Sequence, residues 1–103
     1  MSPSTLEKLF VYGTLLEADV QRAIIGRTVT STADALDGYF KSSIQLGANT
    51  YPILIEKPGN SINGRVLEIT PQELARIDRY ETDAYRRVRV KTRAGVQAWV
   101  YCQ

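Results

Sequence analysis

The 103-residue chain predicts an α+β domain, a mostly antiparallel sheet or barrel carrying two short helices. Three observations point there. Short runs of alternating or continuous apolar residues recur along the chain, separated by Gly, Pro, Asn and Asp. Two segments, about 18–25 and 71–79, instead space their apolar residues at helical intervals. The length leaves room for one core and for no separate cofactor domain. Residues 1–103 therefore read as a single domain, with 1–7 as a flexible N-terminal tail.

Leu9-Phe10-Val11-Tyr12 is an apolar, aromatic run stopped by Gly13, as expected of a buried strand. The helical stretch from about Ala18 to Ile25 places Val20, Ala23 and Ile24 on one face and ends at Gly26. Residues 28–36 are rich in Thr, Val and Ala. Asp37-Gly38 signals a turn, and Tyr39 to Leu46 reads as the returning strand. Gly47 to Thr50 is loop-like. Tyr51 to Ile55 is extended, with Pro52 at a strand start or an edge because it cannot donate to a ladder. Lys57-Pro58-Gly59-Asn60-Ser61 is a second turn cluster, and Gly64 to Ile69 alternates as a partly buried strand.

Thr70-Pro71-Gln72-Glu73 is the strongest local signal in the chain. It offers a hydroxyl N-cap, proline at the first helical position and glutamate at the third. The helix it starts is expected to run to about Arg79, and Glu81-Thr82-Asp83 breaks its pattern. Tyr85 to Thr92 alternates, with Val88 and Val90 on one face and Arg87, Arg89 and Lys91 on the other. Ala94-Gly95 turns the chain into a final strand through Val96, Ala98 and Val100.

Composition narrows the chemistry. The chain has no histidine and a single cysteine, Cys102. Ser-His and Cys-His pairs, histidine shuttles and histidine metal sites are excluded, as is an intramolecular disulfide. A carboxylate is then the leading acid or base, and no cofactor or metal is expected. The formal net charge of +2 is too mild to imply nucleic acid or membrane as a partner. No apolar run approaches the ~20 residues of a membrane span. The N-terminus lacks the pattern of a signal peptide, so a cytoplasmic location is expected.

Two places stand out as candidate chemistry. The loop Tyr12-Gly13-Thr14-Leu15 follows a strand and precedes a helix, where consecutive backbone N–H groups can face an anion. It equally fits an ordinary strand-to-helix turn. Asp78 and Glu81 are three residues apart at a helix end and share a face if the last turn persists. An acid there opposes the helix dipole. Glu81 is thus the stronger candidate for proton transfer if partly buried; a solvated Glu81 paired with Arg79 or Arg86 is the alternative. Arg86, Arg87, Arg89, Lys91 and Arg93 could meet phosphates, but at alternate strand positions they fit a guarded sheet face. Tyr51, Tyr85, Trp99 and Tyr101 could line a pocket or pack across strands.

In chain order, five segments carry a resemblance. These are Leu9-Phe10-Val11-Tyr12-Gly13-Thr14-Leu15, Tyr51-Pro52, Asn63 to Ile69, Ile77-Asp78-Arg79-Tyr80-Glu81 with Tyr85-Arg86-Arg87-Val88, and Ala98-Trp99-Val100-Tyr101. Together they span Leu9 to Tyr101, and the chain resembles the gamma-glutamylcyclotransferase-like family, chiefly its small bacterial-type members. The resemblance implies a mixed sheet closing into a small barrel with a cavity. It implies an enzyme that cyclises a γ-glutamyl amide or peptide to 5-oxoproline, an acyl transfer of the kind used in glutathione metabolism. Glu81 would be the catalytic acid/base. Tyr12, Gly13, Thr14 and Leu15 would bind the small-molecule substrate, with Tyr51, Tyr85 and Tyr101 lining its cavity. Ile53 and Thr82 stand where the family usually has glycine, which leaves the substrate open. A catalytically inactive small-molecule-binding or regulatory module of the same fold is the alternative reading.

Overall fold

The computed structural model describes residues 6–81 and 85–102, and only the backbone of Leu46, Tyr51 and Pro52. The elements run β1 (Glu7–Val11), a 3-10 turn (Thr14–Leu16), α1 (Ala18–Ile24), β2 (Ser31–Leu46), β3 (Asn49–Ile69), α2 (Pro71–Glu81), β4 (Arg86–Lys91) and β5 (Gln97–Cys102). The strands form one mixed sheet in the order β2-β3-β1-β5-β4. β1 sits in the middle, antiparallel to β3 and parallel to β5 through Leu9 and Trp99. The first strand therefore begins at Glu7, inside the segment read as a tail. Residues 1–5, Thr82 and Asp83 lie outside the described residues.

Alternation along β1 divides the interior in two. Leu9 and Val11 join Leu15, Ile25, Leu67, Ile69, Leu74, Ile77 and Tyr101 in a cluster that includes residues of α2 and the α1 end. Phe10 and Tyr12 join Leu36, Leu54, Ile62, Val66, Ala98, Val100 and Cys102 in a second. A strand buried on both faces is continuously apolar, which is how Leu9-Phe10-Val11-Tyr12 reads. Between the layers Gly64 lies so close to β1 that a Cβ there would sit 2.3 Å from the Val11 carbonyl and 2.7 Å from Phe10 Cζ.

Two expected turns are not reversals. Asp37-Gly38 is a bulge inside one long β2, and Lys57 to Asn60 is the matching irregularity inside one long β3. Pairing passes from Asp37↔Ser61 to Tyr39↔Glu56 across them. Gly38 (φ 85°) and Gly59 (φ 88°) supply the left-handed backbone. Such a local signal marks a positive φ, and whether the chain then reverses is decided by the partner strand. The actual reversal is at Gly47-Ala48, where Leu46 pairs with Asn49 and Gly47 has φ 64°. Beyond the bulge, Tyr39–Glu56 forms a two-stranded arm.

The sheet also does not close into the expected barrel; β2 and β4 are its two edges. β2 pairs with β3 on both sides of the bulge, and no ladder joins it to β4 among the described residues. The turn after β4 does reach across. Arg93 donates its backbone N–H to the Ala35 carbonyl at 2.8 Å and pairs with Asp37 at 2.6 Å. Ala94 N–H donates to Asp34 Oδ1 at 3.2 Å. These are point ties in place of a ladder.

α2 is started as its sequence predicts. Glu73 N–H donates to Thr70 Oγ1 at 3.1 Å, and Thr70 N–H to Glu73 Oε1 at 2.9 Å. Arg27 then grips both oxygens of Glu73 at 2.7 and 2.9 Å. The helix continues to Glu81, two residues past the expected end. That extension sets the geometry below.

Candidate active site

Because α2 persists through Glu81, Asp78 and Glu81 lie one turn apart on one face. Tyr101, on β5, reaches Asp78 with its hydroxyl, donating to Oδ1 at 2.6 Å. Arg87, on the paired strand β4, meets Asp78 Oδ2 at 3.3 Å. Asp78 thus sits between a hydroxyl and a guanidinium. Burial, then the Asp78 contact, push the Tyr101 hydroxyl well above its ordinary range, so it stays protonated and donates.

Tyr12 completes the wall. It is buried at the end of β1, and its hydroxyl donates to the Tyr101 carbonyl at 2.7 Å. Burial, then the Tyr85, Glu81 and Cys102 groups, raise its titration strongly. The Glu81 charge contributes to the upward shifts of both Tyr12 and Tyr101. Glu81 is half-buried, and burial pushes its carboxyl up to about 7. A carboxyl titrating near neutrality can both take and return a proton.

Gly13, Thr14 and Leu15 follow Tyr12 directly. The first hydrogen bond of the 3-10 turn is from Leu16 N–H to the Gly13 carbonyl at 3.0 Å. The N–H groups of Gly13, Thr14 and Leu15 come before it, where a helical turn has no internal acceptors. Leu15 is buried and anchors the loop in the first cluster. Gln21 locks it from α1, donating Nε2–H to the Leu15 carbonyl at 2.8 Å and accepting Val29 N–H at 3.1 Å. Thr14 stays exposed, its hydroxyl 3.3 Å from that of Tyr80 on α2. The loop and the Glu81 helix are therefore tied directly.

The other expected residues divide. Tyr85 is half-buried and packs against the first cluster. The side chain of Tyr51 lies outside the described residues; its backbone pairs with Ile44 on the arm. The arginine strand is engaged within the protein. Arg87 and Arg89 set their guanidiniums 4.4 and 4.2 Å from the Trp99 ring centre. A crevice of about 250 Å³ between α2 and β5 is lined by Leu74, Asp78, Arg87, Trp99 and neighbours, and Glu81, Tyr12 and Tyr101 are not among its lining residues.

Lys41 went unnoticed in the sequence. Its ammonium donates to the Tyr12 carbonyl at 3.0 Å, bringing the arm to the loop. One signal could have found it, since Lys41 is the single charge between Asp37 and Glu56. Among the described residues no group of three or more Cys, Asp or Glu could hold a metal ion. No helix among them is long and apolar enough to cross a membrane.

A small α+β domain with a half-buried carboxyl at a helix end, set against a strand-to-helix loop, has the architecture of the gamma-glutamylcyclotransferase-like fold. The chain belongs to the family described as gamma-glutamyl cyclotransferase, AIG2-like, whose model matches residues 9–103. Among curated relatives, AIG2-like protein D of Arabidopsis thaliana is 32% identical over 88 residues, 84% of this chain and 57% of that protein. Protein AIG2 C of the same plant is 32% identical over 81% of this chain and 50% of its own length. The chain thus spans about half the length of these relatives. A solution structure from Arabidopsis thaliana superposes with a TM-score of 0.82 at 27% identity, covering 99% of this chain and 66% of that one. A solved structure titled gamma-glutamyl cyclotransferase aligns with a TM-score of 0.71, covering 96% of this chain and 67% of that one; at 16% identity it speaks for the fold alone.

Proposed function

We propose that the chain cyclises a γ-glutamyl amide or peptide, releasing 5-oxoproline and the free amine. The observation that carries this reading is Glu81, half-buried at the end of α2, whose carboxyl burial pushes up to about 7. The substrate brings its own nucleophile. Its α-amine attacks the γ-carbonyl, a C–N bond closes the five-membered ring, and the original amide C–N bond breaks. Folding the substrate into that conformation supplies much of the rate, because attack is intramolecular. Glu81 takes a proton from the α-ammonium and returns it to the leaving amine; the second proton shed as that nitrogen becomes the ring N–H ends on the released amine, which leaves as its ammonium. N–H groups of Gly13, Thr14 and Leu15 receive the substrate carboxylate or the developing oxyanion. Tyr85 and Tyr101 border the ring as it closes. No cofactor, metal or covalent intermediate is needed.

Glu81→Gln tests this directly. The variant should keep its fold and its ligand affinity and lose 5-oxoproline release by 10²-fold or more. Unchanged turnover would remove Glu81 from the mechanism. Binding of γ-glutamyl compounds by the wild-type chain without any 5-oxoproline would favour the inactive binding module.

A further inference from the structure

We infer that the crevice between α2 and β5 is a second binding site, which takes a small organic cation, an ammonium on a short aliphatic body. Glu81 does not line it, and its chemistry is independent of the reaction proposed there. Pro71, Leu74, Ala75 and the Trp99 indole give it an apolar lining, while Glu7, Asp78 and Arg87 supply its charges. Its volume of about 250 Å³ would hold about eight waters at about 30 Å³ each. That is room for a ligand of a few heavy atoms.

The charges on this wall are unequally matched. Arg87 is engaged twice, by Asp78 Oδ2 at 3.3 Å and by the Trp99 ring, whose centre is 4.4 Å from its guanidinium. Asp78 Oδ1 in turn accepts the Tyr101 hydroxyl at 2.6 Å. Glu7 has a neutral donor instead, the Trp99 indole N–H at 2.9 Å from Oε1. Among the described residues no lysine or arginine pairs with Glu7, although Lys8, Arg22, Arg27, Arg87 and Arg93 all meet carboxylates. Arg89 stacks on the Trp99 ring at 4.2 Å and does not line the crevice. Glu7, Asp78 and Arg87 thus leave one formal negative charge beside an apolar lining, and it rests on Glu7. Glu7 and Trp99 are both half-buried, and their bond orients the carboxyl group before any ligand arrives. Such a group prefers an ammonium, through a charge-assisted hydrogen bond, to a neutral hydroxyl or an anion. The aliphatic body then covers Leu74 and Ala75.

Trp99 is the single tryptophan of the chain, so its indole N–H gives one isolated NMR resonance at the crevice. Titration with n-butylammonium at constant ionic strength should move that resonance saturably. Butanol and butyrate should bind at least about tenfold more weakly. Glu7→Gln keeps an acceptor for the indole and removes the charge, so it should bring butylammonium down to the level of butanol. Ala75→Phe, at an exposed helix position, should fill the crevice and abolish butylammonium binding with Glu7 intact, which decides the matter if the Glu7 variant misfolds. Absence of a saturable shift would overturn the inference. Equal affinity for butanol, tighter binding of butyrate, or unchanged butylammonium affinity in a folded variant would do the same. Saturable shifts at the Gly13–Leu15 amides with the Trp99 resonance unmoved would also overturn it, since the cation would then sit at the candidate active site. All of these are read without turnover, so the result is the same whether or not 5-oxoproline is released.

Discussion

Tyr12 and Tyr101 are joined end to end: the hydroxyl of the first donates to the backbone carbonyl of the second at 2.7 Å. Eighty-nine residues of sequence separate them. Neither end is spare, because Tyr101 passes the contact on through its own hydroxyl to Asp78. Tyr12, Tyr101, Asp78 and Arg87 therefore form one connected set of polar contacts that links the end of β1 to β5, α2 and β4.

Removing one link should loosen that unit without unfolding the protein. Tyr12→Phe should cost about 1 kcal/mol, the net worth of a neutral hydrogen bond. Urea denaturation reads the change. A larger effect on turnover than on stability would indicate that Tyr12 holds the wall in register.

Asp78→Asn keeps the acceptor for Tyr101 but leaves the Arg87 charge without its partner. An uncompensated cation in this wall favours the ionised form of Glu81. The acid limb of the kcat/KM profile should then move to lower pH, by about half a unit or more, while Arg87→Met should move it to higher pH. Identical limbs in both variants would show that the pair is electrostatically silent at Glu81.

Two glutamates should make stability respond to pH with opposite signs. Burial raises Glu81 in the folded chain to about 7, from 4.5. Its ionisation is thus opposed by folding, and its destabilising effect grows as pH rises from about 4.5 to 7. Glu81→Gln should gain up to about 3 kcal/mol over wild type at pH 8 and nothing at pH 4. Glu73 is the reverse, lowered chiefly by its hydrogen bond with Arg27. Its contribution is present above the ordinary glutamate range and lost as pH falls through its folded value. Glu73→Ala should cost about 1 kcal/mol or more at pH 7, through lost capping and pairing, and progressively less in acid. Thermal midpoints across pH 3–8 check both.

Gly64 should tolerate no side chain. An added Cβ meets backbone, the Val11 carbonyl at 2.3 Å, which cannot rotate away. Gly64→Ala should cost on the order of 3 kcal/mol by forcing β1 and β3 apart. Ordinary stability in that variant would mean that the strand pair can part at little cost.

What could be read from the residues differs with the range of the forces involved. The capping box of Thr70 and Glu73 is local, and both of its bonds form as the spelling predicts. The apolar run Leu9–Val11 announced a strand buried on both faces. Asp37-Gly38 and Pro58-Gly59 misled, because the same backbone angles serve a bulge or a reversal and only the pairing partner decides. Openness of the sheet was hidden for the same reason, since only long-range pairing leaves β2 and β4 as its edges. At the candidate site, Glu81 was picked out from its place at a helix end. Its partial burial arises from tertiary packing, which no neighbouring residue could reveal. Lys41 was legible only as an isolated charge, and its target lies 29 positions away in the chain.

The central place of β1 has a further consequence during synthesis. Ribosomes deliver β1 well before β5, yet the two must lie side by side. Until β5 emerges, β1 can pair with β3 while its other edge stays bare. Tyr12 meanwhile waits for the carbonyl of Tyr101. At about 5–20 residues per second, that interval lasts several seconds or more. For this period the nascent chain carries an open apolar strand edge, the kind of surface that other chains and chaperones engage. Assembly around Glu81 thus waits for β5, and a polypeptide halted before β5 would carry the helix and the loop without the strand that unites them.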